Sequence, residues 1–281
     1  MRRLLLALLA LTTASLASAG APPTRVVTLA PYLAELVCAA GGCGALVGVS
    51  AYSDYPPPVT RLPQIGDAFA LNLEAILALR PDLILAWQGG TPPERVARLR
   101  QLGLRVEWLQ ADRLDAVATA LEQTGAWLGT AADAKRAADA YRRRLAALRA
   151  QHLHDTAIRT VYQIETAPAY TINHESVISE AIALCGGVNV FADLPHIAAS
   201  ISAEAMLAAA PEAVIYGGEE NETAIRAYWR RLGAAPAARR NALYAVNADL
   251  LGRATPRLLD GVVAVCQALD RARVARANDH R

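Results

Sequence analysis

Residues 71–87 read LNLEAILALRPDLILAW, and residues 202–218 read SAEAMLAAAPEAVIYGG. Glu74 and Glu204, Ala75 and Ala205, Leu77 and Leu207, Ala78 and Ala208, and Pro81 and Pro211 are matched pairs, each 130 positions apart. Each copy reads as a helix stopped at its proline, which cannot continue a helix and biases the residue before it away from helical backbone. A short apolar run follows at once and reads as a buried strand. A chain that carries this helix–proline–strand unit twice, so far apart, is constrained to two similar lobes.

The remaining pattern agrees. RVVTLA (25–30) reads as a buried strand ended by Pro31, YLAELVCAAGG as a helix closed by glycine, ALVGVS as a second strand and AYSDYPPP as a loop. A helix at 92–102, the strand RVEWL and a helix at 114–128 complete the first half. The pattern then restarts with the strand RTVYQIE and the helix ESVISEAIALC, and ends with a helix at 222–231, the strand LYAVN and a closing helix from about Thr255. Strands alternating with helices at this spacing imply parallel sheets covered on both faces. Between the halves, AADAKRAADAYRRRLAALRAQ (131–151) has no Gly or Pro and repeats Ala and Leu at helical spacing among charges, which makes it one long amphipathic helix. The expected fold is α/β. It has two Rossmann-like lobes with parallel sheets, the N-terminal one over 24–129 and the C-terminal one over 156–275, joined by a connecting helix over 130–152.

Residues 1–19 read as an export signal. Arg2 and Arg3 form a basic start, Leu4 to Leu11 an apolar run, and Ala17-Ser18-Ala19 a small-residue cleavage site. The run is too short for a bilayer span and is broken by Thr12, Thr13 and Ser15. Cleavage after Ala19 removes two arginines, taking Lys+Arg from 28 to 26 and level with the 26 Asp+Glu. A neutral exported protein has no overall field for nucleic acid or anionic lipid. The run Arg142-Arg143-Arg144 reads as a solvated helix face. Four cysteines in an exported chain suggest disulfides. Cys38, Cys43, Cys185 and Cys266 allow three pairings, and no CxxC or nearby His points to a metal.

Two lobes on a stiff connector leave a cleft, and ligands of open α/β sheets sit beyond the carboxyl ends of the strands. Those ends are Pro31-Tyr32, Tyr52 to Pro57, Trp87 to Gly90, Tyr170 and Gly217-Gly218. Aromatics are only 5% of the chain, so their gathering at these ends favours a ligand over core filling. Trp108 and Trp127 fall within element patterns and are assigned to the core. GGCGALVG (41–48) follows a helix rather than opening one and reads as a helix cap and turn, and GxSxG and Walker loops are absent. The first half has no histidine, and His152 and His154 read as the solvated end of the connector. A catalytic or metal site between the lobes would draw its histidines from one side only, so a binder is expected, with neither an enzyme nor a metal centre.

VSAYSDYPP, LNLEAILALRPDLILAW, CGGVNVF and DLLGRATPR carry a family resemblance that extends over nearly all of the chain after residue 19. The chain resembles the periplasmic cobalamin (vitamin B12) binding proteins of bacterial ABC importers. They belong to the helix-linked substrate-binding proteins, which also carry haem and siderophores. The resemblance implies a soluble periplasmic monomer that holds cobalamin or a related corrinoid as cargo, not as cofactor. It implies that Tyr52 and Trp87 hold the ring from one lobe and Tyr170 from the other, with Asp249 and Arg253 as polar partners. It implies a Cys185–Cys266 disulfide, and docking of Glu74 and Glu204 on arginines of an inner-membrane permease dimer. The chain departs at Ala68 and Ala198, where a member of that family carries tryptophan, and at Leu250, which replaces an aromatic. Phe69 and His196 stand beside the first two gaps, and Tyr32 at the first strand's end is a further candidate. Haem, with Tyr52, Tyr170 or His196 as axial ligand, or a siderophore is the alternative cargo. An exported hydrolase is the alternative class, but it lacks a nucleophile and base.

Overall fold

A computed structural model describes residues 21–67, 70–218 and 222–279. The export segment 1–19 and Phe69 lie outside the described residues. The first lobe runs β1 (Val26–Thr28), α1 (Pro31–Ala39), β2 (Leu46–Val49), α2 (Leu73–Ala78), β3 (Leu83–Trp87), α3 (Pro93–Gln101), β4 (Val106–Leu109) and α4 (Ala116–Leu128). Its four strands are parallel, in the order β2-β1-β3-β4. The connector is α5 (Ala131–His152).

The second lobe runs β5 (Ile158–Gln163), β6 (Glu165–Thr166), β7 (Ala169–Ile172), α6 (Val177–Leu184), β8 (Gly187–Asn189), β9 (Ala198–Ser200), α7 (Ala203–Ala209) and β10 (Ala213–Gly217). It closes with α8 (Glu222–Arg231), α9 (Pro236–Arg239), β11 (Leu243–Val246), α10 (Ala248–Gly252) and α11 (Leu258–Asn278). Its parallel sheet reads β8-β5-β10-β11, so first, second, third and fourth strands take the same places as in the first lobe.

The repeated sequence unit is α2–β3 in one lobe and α7–β10 in the other, feeding the third strand of each sheet. The likeness extends to residues that differ in type. Asn72 and Ser202, also 130 apart, cap the two helices by accepting from the N–H groups of Ala75 and Ala205 at 3.0 and 3.1 Å. Arg80 and Ala210, each just before its proline, both turn left-handed, at φ 43° and 44°. The proline removes the helical option at that position, and the helix exits through the same turn twice.

A second sheet in the C-terminal lobe departs from the all-parallel expectation. β6, β7 and β9 form a small antiparallel sheet in the order β6-β7-β9, with Tyr170 opposite Glu165 and Ser200. The stretch expected as one strand through Glu165 leaves the parallel sheet after Gln163. There the N–H of Ile164 donates to the carbonyl of Tyr170 at 2.9 Å, starting a hairpin.

The connector folds back on α4 through Gly129, whose left-handed φ of 73° ends α4. The helices approach so closely at Gly125 that an added Cβ there would lie 2.2 Å from Cβ of Ala134. α5 buries Ala134, Ala138, Tyr141, Leu145 and Leu148. That stripe belongs to one apolar core that also takes Leu33 and Leu36 from the first lobe and Ile182, Leu259 and Val262 from the second. The Arg142–Arg144 face is exposed, with Arg142 paired to Glu122 and Arg144 to Asp260. His152 departs from its solvated reading: it is buried, and its Nδ1 lies 2.7 Å from Asp155, because the chain turns at the helix end and brings that carboxylate to the ring nitrogen. Trp108 is half-buried, packed against the core of the first lobe with its remaining surface beside a cavity. Cys38 is bonded to Cys43, and Cys185 to Cys266. The second bond ties the residue that ends α6 to α11.

Candidate functional site

The carboxyl ends of the first lobe's strands supply one wall of a cleft. Pro31 opens α1 directly after β1, where a missing N–H costs nothing, and places Tyr32 in the first turn. β3 ends at Trp87, whose N–H donates to Thr91 Oγ1 at 3.0 Å, while Thr91 N–H returns to the Trp87 carbonyl at 2.9 Å. The rings of Tyr32 and Trp87 meet edge to face, with centroids 5.9 Å apart and planes at 84°. Trp87 remains 40% exposed and Tyr32 only 7%. The Tyr32 hydroxyl donates to the Leu109 carbonyl at 3.3 Å, and burial, with Asp112 adding to it, pushes its pKa up. Tyr32 therefore braces Trp87, its polar end already satisfied within the lobe.

The second lobe closes over this wall. A cavity of about 210 Å³ is lined by Ala30, Tyr32, Trp87 and Ala111 from one lobe and by Gly252 and Arg253 from the other. Arg253 follows α10 and reaches across the gap. It forms an ion pair with Asp54, donates to the Tyr52 carbonyl at 3.3 Å, and holds Asp249 of its own lobe at 2.8 Å. Burial alone would raise the Asp54 carboxyl, but the hydrogen bond and charge of Arg253 outweigh it and hold Asp54 below the usual carboxylate range.

A separate cavity of about 450 Å³ is lined by Tyr52, Asp54, Thr60 and Gln64. Tyr52 is 76% exposed on a left-handed backbone, φ 65°. Such a conformation is costly for a residue with a Cβ, and the surrounding loop must hold it. Ala51 N–H, bonded to the Gly66 carbonyl at 2.8 Å, anchors that loop.

A second inter-lobe contact lies deeper. Glu35 of α1, 3% exposed, takes a bidentate pair from Arg257 at 2.8 and 2.7 Å and the Thr255 hydroxyl at 2.5 Å. The same guanidinium lies over the ring of Tyr55, 3.6 Å from its centroid. Arg253 and Arg257 thus both already have carboxylate partners from the opposite lobe.

Of the candidates named from sequence, Tyr32, Tyr52, Trp87, Asp249 and Arg253 come together around this seam. Tyr170, 36% exposed, lies on the small antiparallel sheet that springs from the carboxyl end of β5, not at a parallel strand's own end. His196 is exposed in the turn before β9. Glu74 and Glu204 are exposed in the first turns of α2 and α7, and neither forms an ion pair among the described residues. The Glu204 carboxyl is held low by its own backbone N–H and by the Ser202 hydroxyl. One turn further, Leu77 and Leu207 are exposed at equivalent positions. Sequence reading missed Glu35, Asp54 and Arg257. The pairing of SDY (53–55) with GRATPR (252–257) across the seam has no local signature.

No helix among the described residues is long and apolar enough to cross a membrane. The chain is 38% identical over 258 residues to a protein of Vibrio cholerae serotype O1 named vitamin B12-binding protein, covering 92% of this chain and 93% of the relative. The crystal structure of the periplasmic vitamin B12 binding protein of Vibrio cholerae superimposes with a TM-score of 0.82 at 38% identity, covering 90% of this chain and 98% of that one. A periplasmic heme binding protein from Pseudomonas aeruginosa superimposes with a TM-score of 0.76 at 32% identity, covering 88% of this chain and 92% of that one. The family described as periplasmic binding protein matches residues 26–249, and the chain belongs to it.

Proposed function

We propose that this protein captures cobalamin or a related corrinoid in the inter-lobe cleft and hands it to an ABC importer, with no chemical step. The observation that carries the reading is likeness over 92% of the chain, at 38% identity, to a relative named for vitamin B12 binding. The cleft chemistry supports it. A corrin is a broad, partly apolar disc edged with amides, so it needs aromatic surface and a few polar groups. Tyr52, Trp87 and Tyr170 supply exposed aromatic surface, and Asp54, Asp249 and Arg253 supply a polar rim.

Haem is the second reading, favoured by the Pseudomonas aeruginosa structure and by exposed Tyr52 as an axial ligand. Haem propionates and anionic siderophores call for unspent guanidiniums. Here Arg253 is shared by two carboxylates and Arg257 is held by Glu35. Thermal shifts with cobalamin, cobinamide, haemin and a ferric hydroxamate decide between them. A corrinoid at 100 times its dissociation constant stabilises by about 2.7 kcal/mol. Stabilisation by haemin alone overturns the corrinoid reading.

The same reading makes residues 1–19 a signal removed on export to the periplasm, where the protein works as a monomer. Glu74 and Glu204, on equivalent helices of the two lobes, are the docking charges for a permease built from two copies of one subunit. Sedimentation of the mature protein as a dimer would overturn the monomer.

A further inference from the structure

Gly90 lies two residues beyond Gln88 in the turn that follows β3, and the backbone there passes directly over the Trp87 indole. A Cβ on Gly90 would lie 1.9 Å from Cε3, 2.1 Å from Cζ3 and 2.5 Å from Cδ2 of that ring. All three atoms belong to the six-membered part of the indole, so the bare Gly90 Cα covers one face of it. Gly89, not Gly90, carries the left-handed backbone, with φ 103°. Alanine at position 90 is therefore opposed by the indole and not by the backbone. The turn is fixed independently. Gly90 N–H donates to the Trp87 carbonyl at 3.3 Å, and Thr91, only 3% exposed, bonds both polar groups of the Trp87 backbone. With Tyr32 against it in a T-shaped contact at 5.9 Å, the indole is held by two neighbours. What is left of it lines the inter-lobe cavity with Gly252 and Arg253.

We propose that Gly90 is a positioning residue for the cargo. Its missing side chain lets the Trp87 indole lie back against the turn, so that only the cleft-facing surface is offered to a flat ligand. A methyl group there has nowhere to go but into the ring, and the ring must tilt into the space a disc would fill. This inference rests on the corrinoid reading for its ligand, but the bracing itself does not depend on cargo identity.

The test uses Gly90→Ala in the full mature chain, alone and with Trp87→Ala, titrated with cobalamin by calorimetry. Gly90→Ala is expected to keep the far-ultraviolet circular dichroism of wild type and to bind about tenfold more weakly, the scale of a lost aromatic stacking contact. On the Trp87→Ala background the same change should have no further effect, because the atoms it strikes are gone. The double variant also guards against misfolding, since the methyl fits once the indole is removed. Without cargo, the Trp87 emission, taken as the difference between each protein and its Trp87→Phe counterpart, should shift in Gly90→Ala. Wild-type affinity in Gly90→Ala, an equal loss with and without the indole, or unchanged Trp87 emission overturns the proposal. A wild type that ignores cobalamin while Gly90→Ala still shifts the emission overturns the cargo reading and leaves the bracing intact.

Discussion

Replacing Arg257 by methionine removes the guanidinium from Glu35 and keeps most of the apolar stem. The Glu35 side chain is 3% exposed and would retain only the Thr255 hydroxyl of its three donors. Removing one partner of a buried pair costs about 3–5 kcal/mol, because the other charge stays buried without compensation. Arg257 is itself 26% exposed, so water reaches the gap from one side and the lower end applies. The contact over Tyr55, worth about 0.5–1 kcal/mol at such a site, is lost as well. A destabilisation of about 3.5–4 kcal/mol follows. At about 2–4 °C per kcal/mol for a chain of this size, Tm should fall by about 7–16 °C, read by circular dichroism without ligand. Adding Glu35→Gln, which leaves a neutral group in place of the charge, should restore at least half of the loss. A melting point for Arg257→Met within about 2 °C of wild type, or strictly additive losses in the pair of substitutions, would refute this account of the seam.

Three further outcomes are expected. Trp87→Ala should weaken corrinoid binding by about 1–3 kcal/mol in calorimetry through lost apolar contact, and unchanged affinity in both Trp87→Ala and Tyr52→Ala would remove them from the site. Glu74→Ala/Glu204→Ala should leave folding and corrinoid affinity intact but abolish stimulated uptake with the cognate permease; normal uptake would reduce both to helix-end charges. The Cys185–Cys266 bond spans 81 residues and the Cys38–Cys43 bond five. In chain-entropy terms the first is worth about 4–5 kcal/mol and the second about 2, so Cys185→Ala/Cys266→Ala should melt well below Cys38→Ala/Cys43→Ala, and the reverse order would contradict this accounting.

The lobed plan was legible because it is written locally. A helix, a proline and an apolar strand within 17 residues need no distant partner to be recognised, and the copy at 202–218 fixes the count of lobes. The strand order β2-β1-β3-β4 was not legible, since every strand of a buried parallel sheet looks alike. The β6-β7-β9 sheet escaped because β6 has two residues and β9 is Ala-Ala-Ser, too short and too plain to show a period of two. Tyr52 and Trp87 stood out as rare aromatics at strand ends. Glu35 did not, because one acid in YLAELVCAA looks like the polar side of an ordinary helix. Its partner Arg257 is 222 residues away. His152 misled for a related reason: a histidine at the end of a charged helix reads as solvated unless the turn that folds Asp155 onto it is known.

The apolar core that runs without interruption from α1 through α5 to α11 has a mechanical consequence. Parting the lobes along that side would wet large side chains such as Leu33, Leu145 and Val262, so it forms the stiff spine of the molecule. The compliant edge is the exposed rim of the seam, where Asp54 is half exposed and Arg253 reaches the other lobe through a few side-chain bonds. An applied load would be taken up at that edge first, with the spine as fulcrum. A pair of spin labels across the Asp54–Arg253 rim would record most of the breathing, and a pair across α1 and α11 almost none.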